Sequence, residues 1–210
     1  SRMVVIDPSP PPVMAQMIAD AGLRHARTAE GLPAADVLVI AVKPQIMDKV
    51  LPGVRSLAGP GTVAVSVAAG ITLEQLAQGL GEGVAVIRAM PNTPALVQRG
   101  ITVCCPDSRV DLQQQARVHG LLQAIGRVEW VDREVLIDAV TAVSGSGPAY
   151  VFLLAEALAR AGEAAGLPED LAMTLARETV SGAGEMLFHS PDSPARLREN
   201  VTSPNGTTAA

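Results

Sequence analysis

Residues 37–42, Val-Leu-Val-Ile-Ala-Val, are apolar at every position rather than at every second one, and Lys43-Pro44 ends the run. A strand with one face in water alternates. A strand that is apolar on both faces has to be covered on both, which is the condition of a parallel sheet with helices above and below. Residues 63–67 and 84–89 repeat the pattern, and Gly59-Pro60-Gly61 and Gly81-Glu82-Gly83 supply the turns. Between them residues 72–80 read as a helix, with Thr72 as N-cap and Gln75 as its reciprocal partner. Met3 to Ile6 form a short strand ending at Asp7, a proline-rich turn follows, and residues 13–21 read as a helix stopped by Gly22. A strand at 101–105, a helix at 112–125 and a strand at 128–131 continue the alternation. The expected fold class is α/β, a doubly wound parallel sheet.

After Asp132 the strand signal stops. Residues 135–143, 149–165, 171–188 and 194–201 all read as helices, and the small residues at Ala155, Ala159 and Gly162, with Leu158 among them, let helices approach closely. Two domains are expected, 1–133 and 134–210. A dinucleotide-binding sheet opens with a strand, a glycine-rich turn and a helix, and no such opening is present in the sequence. Gly145-Ser146-Gly147 lies between two expected helices, so it is not read as a cofactor loop. The sequence starts just before an expected second strand and stops at the start of an expected helix, so a longer chain is expected.

Of the residues, 48% are hydrophobic and 2% aromatic, and the formal net charge is −5. With so few rings to stack bases and no basic cluster, a nucleic-acid partner is not expected. No apolar run reaches about 18 residues, so no membrane span is expected, and with only two adjacent cysteines a reducing cytoplasm is the default. Cys104 and Cys105 are adjacent and read as small apolar strand residues, not as a disulfide or a metal site. No metal site is assigned, and His25, His119 and His189 fit surface or cap roles.

The candidate chemistry lies where strands end. Asp7 can accept hydrogen bonds from an adenosine ribose, which favours NAD, while Ser9 can donate to a 2′-phosphate. A plain turn aspartate is the other reading. Ala41-Val42-Lys43-Pro44 ends a buried strand, and Lys43 either supports a phosphate or is simply solvated. Ser66-Val67-Ala68-Ala69-Gly70 ends the next, and its small residues let backbone approach a flat ring. Met90-Pro91-Asn92-Thr93-Pro94 is a rigid turn in which Asn92 either holds a ligand or caps the loop. Val143-Ser144-Gly145-Ser146-Gly147-Pro148-Ala149 either presents N–H and O–H donors or is a tight corner between helices. Asn200 to Thr208 carries several hydroxyls and a Gly-containing turn before an expected helix, an arrangement that can bind a carboxylate.

In order and spacing these motifs resemble the pyrroline-5-carboxylate reductases. The stretches Ser144-Gly145-Ser146-Gly147-Pro148-Ala149-Tyr150 and Thr202-Ser203-Pro204-Asn205-Gly206-Thr207-Thr208 carry most of the resemblance. It implies a Rossmann domain, a helical domain that makes a homodimer, and dimers that can assemble further. It implies a small cyclic imine, 1-pyrroline-5-carboxylate, as substrate and proline as product. The cofactor is NADP(H) by preference, with NAD(H) the alternative. By the same resemblance Ala41, Lys43, Pro44, Ala68, Ala69, Gly70 and Asn200 meet the cofactor; Val42 belongs to the same strand-end motif, and Asp7 and Ser9, read from their strand end, are expected at the adenosine end. Met90 and Asn92 shape the pocket, and Ser203, Gly206, Thr207 and Thr208 hold the substrate carboxylate. Thr208 or a water donates the proton. Asn205 stands where the family usually has Gly. A β-hydroxyacid dehydrogenase is the rival enzyme, but it needs a catalytic Lys in the helical half, and residues 134–210 contain none. A non-catalytic scaffold is the rival outside enzymes, and it has no need of the polar loop at 203–208.

Overall fold

In the computed structural model, which describes residues 3–81 and 83–202, the strand–helix alternation is present and its punctuation is the one the residue types dictate. The first unit contains β1 (Val4–Ile6), α1 (Pro12–Asp20), β2 (Arg24–Ala26), β3 (Val37–Ile40), α2 (Met47–Val54), β4 (Val63–Ser66), α3 (Leu73–Leu80), β5 (Ala85–Met90), β6 (Gly100–Pro106), α4 (Leu112–Leu122), β7 (Gly126–Trp130) and α5 (Leu136–Val140). Proline stands at the start of α1, and Gly22 follows that helix with a φ of 60°. Thr72 and Gln75 form the expected capping box on α3. Asp111 and Gln114 form a second one on α4.

β1 and β2 pair in parallel as a two-stranded sheet, and the other strands form a five-stranded sheet in the order β3-β4-β5-β6-β7. β3, β4 and β5 are parallel, whereas β6 runs antiparallel to β5 and β7 parallel to β6. The expected parallel sheet is therefore present with one reversal, at β6. A parallel return needs a crossover of a dozen or more residues, and the link from Met90 to Gly100 is short, holding only the 3₁₀ segment Thr93–Val97. Every residue of β4 and β5 is buried, as runs apolar on both faces require. β3 departs from that: Val39 is 45% exposed, because β3 is the edge strand of its sheet. Met47, Leu51, Leu76 and Leu80 fill one face with Ala64 and Val86, and Val118 and Leu122 cover Val63, Val65 and Ile87 on the other.

β2 and α2 were not marked by the sequence pattern. α2 has Pro52 inside it and β2 is the exposed triplet Arg-His-Ala, so neither presents a clean period.

The chain divides into compact units between Ser146 and Gly147, later than the expected boundary at 133/134. The reason is Ile137 of α5, which is fully buried with Met90, Val103 and Cys105. Of the two readings of Val143 to Ala149, the tight corner is not what the chain forms. Thr141–Gly145 is a π turn in which the Ser146 N–H donates to the Thr141 carbonyl, five residues back, at 2.8 Å. Pro148 has no N–H to give, and the hydroxyls of Thr141 and Ser144 donate back to the carbonyls of Ile137 and Val140.

The second unit holds α6 (Gly147–Ala164), α7 (Glu169–His189) and α8 (Pro194–Asn200). α6 and α7 meet through small residues, with Ala159, Ala172 and Ala176 buried. A Cβ on Gly162 would stand 3.2 Å from the Ala172 Cβ. Much of α6 is apolar and exposed, including Tyr150, Phe152, Leu153 and Leu154. The helical stretch Leu136–Ala164 is long and apolar enough, by length and composition, to cross a membrane.

Candidate active site

The carboxyl ends of β3, β4 and β5 bring three of the candidate segments to one rim of the sheet, where ligands bind in open α/β sheets. Past β3, Ala41 and Lys43 are exposed, Val42 is half-buried, and Pro44 opens the 3₁₀ turn Pro44–Ile46. Past β4, Ala68 is buried while Ala69 and Gly70 are exposed. Gly70 has a φ of 75°, and apart from its two chain neighbours no heavy atom of the described residues lies within 4 Å of where its Cβ would stand. Glycine is needed there for the backbone angle, and the space above it is open. An open ledge of small residues fits a flat ring such as nicotinamide.

Past β5, Met90 is buried, and its sulfur lies 3.6 Å from where a Cβ on Gly145 would stand, so Met90 underlies the π turn. Asn92 is half-buried, and its side-chain oxygen accepts the Ile101 N–H at 2.9 Å. Of the two readings offered for Asn92, the loop cap is what its oxygen does.

Asp7 follows β1, and its carboxylate accepts the Ser9 N–H at 2.8 Å, an Asx turn that leaves the Ser9 side chain exposed. β2 and the residue after it brace this turn: a His25 ring nitrogen lies 2.8 Å from the Asp7 carbonyl, and Arg27 Nε donates to the Pro8 carbonyl. Asn200 is exposed and is the last residue of α8. Ser203, Gly206, Thr207 and Thr208 lie outside the described residues.

Sequence reasoning missed Arg88 and its partners. Arg88 on β5 is 4% exposed; its Nη1 donates to Glu134 Oε1 and its Nη2 to Asp138 Oδ1, both at 3.1 Å. The same Glu134 oxygen accepts the Leu73 N–H at 2.8 Å, at the first turn of α3. A lone Arg inside Ala-Val-Ile-Arg-Ala-Met was the available signal, since a charge inside a strand apolar on both faces needs a partner. A cavity of about 660 Å³ beside Arg55, Glu74 and Arg109 is lined by none of these residues.

This is a Rossmann-like sheet with a separate helical unit. Residues 134–210 match the family model described as pyrroline-5-carboxylate reductase dimerisation. A pyrroline-5-carboxylate reductase of Pseudomonas aeruginosa is 46% identical over 182 residues, 87% of this chain and 67% of that protein. The structure of a pyrroline-5-carboxylate reductase from Coxiella burnetii superposes with a TM-score of 0.90 at 35% identity, covering 98% of this chain and 77% of that one. The Plasmodium falciparum pyrroline carboxylate reductase, solved with NADP bound, gives 0.81 at 30% identity, with 98% and 75% covered. The chain belongs to the pyrroline-5-carboxylate reductase family, NAD(P)H-dependent oxidoreductases.

Proposed function

We propose that the protein reduces 1-pyrroline-5-carboxylate to L-proline, the last step of proline biosynthesis, with NADP(H) as preferred cofactor and NAD(H) as alternative. The observation that carries the reading is the exposed small-residue ledge at Ala69 and Gly70, at the end of β4 and between the ends of β3 and β5. When bound there, the dihydronicotinamide supplies the hydride. Ala68, Ala69 and Gly70 admit its ring, Ala41 to Pro44 flank it, and Asp7 with Ser9 meets the adenosine end. Met90 and Asn92 fix one wall of the pocket. Ser203, Gly206, Thr207 and Thr208 hold the carboxylate, and holding the imine at the right distance provides much of the rate. Thr208 or a water donates the proton to the ring nitrogen. Asn200 also reaches the cofactor.

The helical domain, 134–210, makes a homodimer, and dimers can assemble further. The dimerisation family model and the apolar exposure of Tyr150, Phe152, Leu153 and Leu154 support that reading. The cytoplasm suits the two free cysteines.

The test is oxidation of NADPH by the natural protein with and without pyrroline-5-carboxylate, and then of NADH. Substrate-dependent oxidation that yields proline is expected. A folded, cofactor-binding dimer that oxidises nothing at saturating substrate sinks the reading. Thr208→Val is expected to cut kcat/KM by about 100-fold, and unchanged kcat and KM would remove Thr208 from the mechanism.

A further inference from the structure

One carboxylate oxygen in the first unit joins three segments that the site needs. Glu134 Oε1 accepts the Leu73 N–H at 2.8 Å and Arg88 Nη1 at 3.1 Å. Leu73 opens α3, three residues after Gly70 at the end of the ledge. Arg88 stands two residues before Met90, and its other terminal nitrogen reaches Asp138 of α5 at 3.1 Å. α5 leads straight into the π turn Thr141–Gly145, which Met90 underlies.

We infer that Arg88 is a positioning residue for the reduction: its fork, acting through Glu134 and Asp138, fixes the ledge, the Met90 wall and the π turn relative to one another. The inference rests on the function proposed above. Three properties separate this from an ordinary ion pair. Arg88 is 4% exposed, so its charge is held in a place that only partners can make tolerable. Its Nε is buried without a hydrogen-bond partner, which a packing role alone would select against. Its two carboxylates sit on one turn of chain, and a planar fork with two ends can hold both, which a lysine point charge cannot.

The experiment compares the natural protein with Arg88→Lys, Arg88→Met and Glu134→Gln. The readouts are kcat and KM for pyrroline-5-carboxylate, Kd for NADPH and thermal unfolding. Arg88→Met is expected to lose roughly 100-fold in kcat/KM, mostly in kcat, as displaced reacting groups do. NADPH affinity should change by less than about threefold, since the adenosine end is held elsewhere. Arg88→Lys should recover only part of the loss. Glu134→Gln, which keeps an oxygen for Leu73 but lowers the charge, should lie between and provides the answer if Arg88→Met does not fold. A lower Tm with unchanged kcat and KM per folded site, in either Arg88→Lys or Glu134→Gln, overturns the inference and leaves a purely structural arginine. If the unmodified protein does not turn over, the functional reading itself fails. If it turns over and the folded variants match it, only the positioning role fails.

Discussion

The side-chain oxygen of Asn92 accepts the backbone N–H of Ile101 at 2.9 Å, closing the turn between β5 and β6 on itself. Removing that acceptor leaves a half-buried N–H without its partner. Asn92→Ala is therefore expected to lower stability by about 1 kcal/mol, read by chemical denaturation, and to raise KM for the imine more than for NADPH. An unchanged imine KM would leave Asn92 as a lock on the loop and nothing else.

Asp111 offers the opposite case. Its carboxylate accepts the Gln114 N–H at 2.7 Å, and Gln114 in turn reaches the Gly61 carbonyl at the approach to β4. Asp111→Ala is expected to cost about 1 kcal/mol as a lost N-cap, with kcat and KM within about twofold of the parent. A large kinetic change would show that the two rims of the sheet are coupled.

The apolar face of α6 gives a prediction about assembly. Phe152 is 68% exposed. Phe152→Glu is expected to shift the protein to monomer in sedimentation and to abolish most activity, since a charge in the centre of an apolar interface has no partner. A Phe152→Glu protein that sediments as the parent does would place the dimer contact elsewhere.

Burial first, and the adjacent Cys105 second, push the Cys104 thiol from 9.0 up to about 12. The folded chain then keeps a proton that the unfolded chain releases. The stability this represents is present below pH 9 and is lost as pH rises from 9 toward 12. Two outcomes are expected. Iodoacetamide should not label Cys104 in the native protein at about pH 8, and Tm should fall more steeply above pH 9 for the parent than for Cys104→Ala. Rapid native labelling would contradict the burial.

The sequence made the sheet legible wherever one residue type had one reason to be present. The runs at β4 and β5 were apolar on both faces because helices cover both, and Thr72 with Gln75 could only be a helix start. The direction of β6 was not legible, because strand composition is the same in either direction and only the length of the link from Met90 decides it. The helix through Thr141 to Gly145 was hidden because Gly and Pro usually end helices, and here hydroxyl back-bonds and a π turn absorb them. Within the candidate site, Ala69 and Gly70 were read from their size. Arg88 was missed because its meaning depends on Glu134 and Asp138, far along the chain. Asn92 carried two readings, and only the position of the Ile101 N–H separates them.

The reversal of β6 also sets where such a chain can vary in length. Its first residues, Gly100 and Ile101, stand at the rim that carries the ledge, while its last, Pro106, pairs back with Ile87 toward the opposite rim. An insertion after Pro106 would meet only helix caps and the start of α4. An insertion between Met90 and Gly100 would meet the pocket wall. One end of this sheet is thus open to drift in loop length and the other is held to its present count.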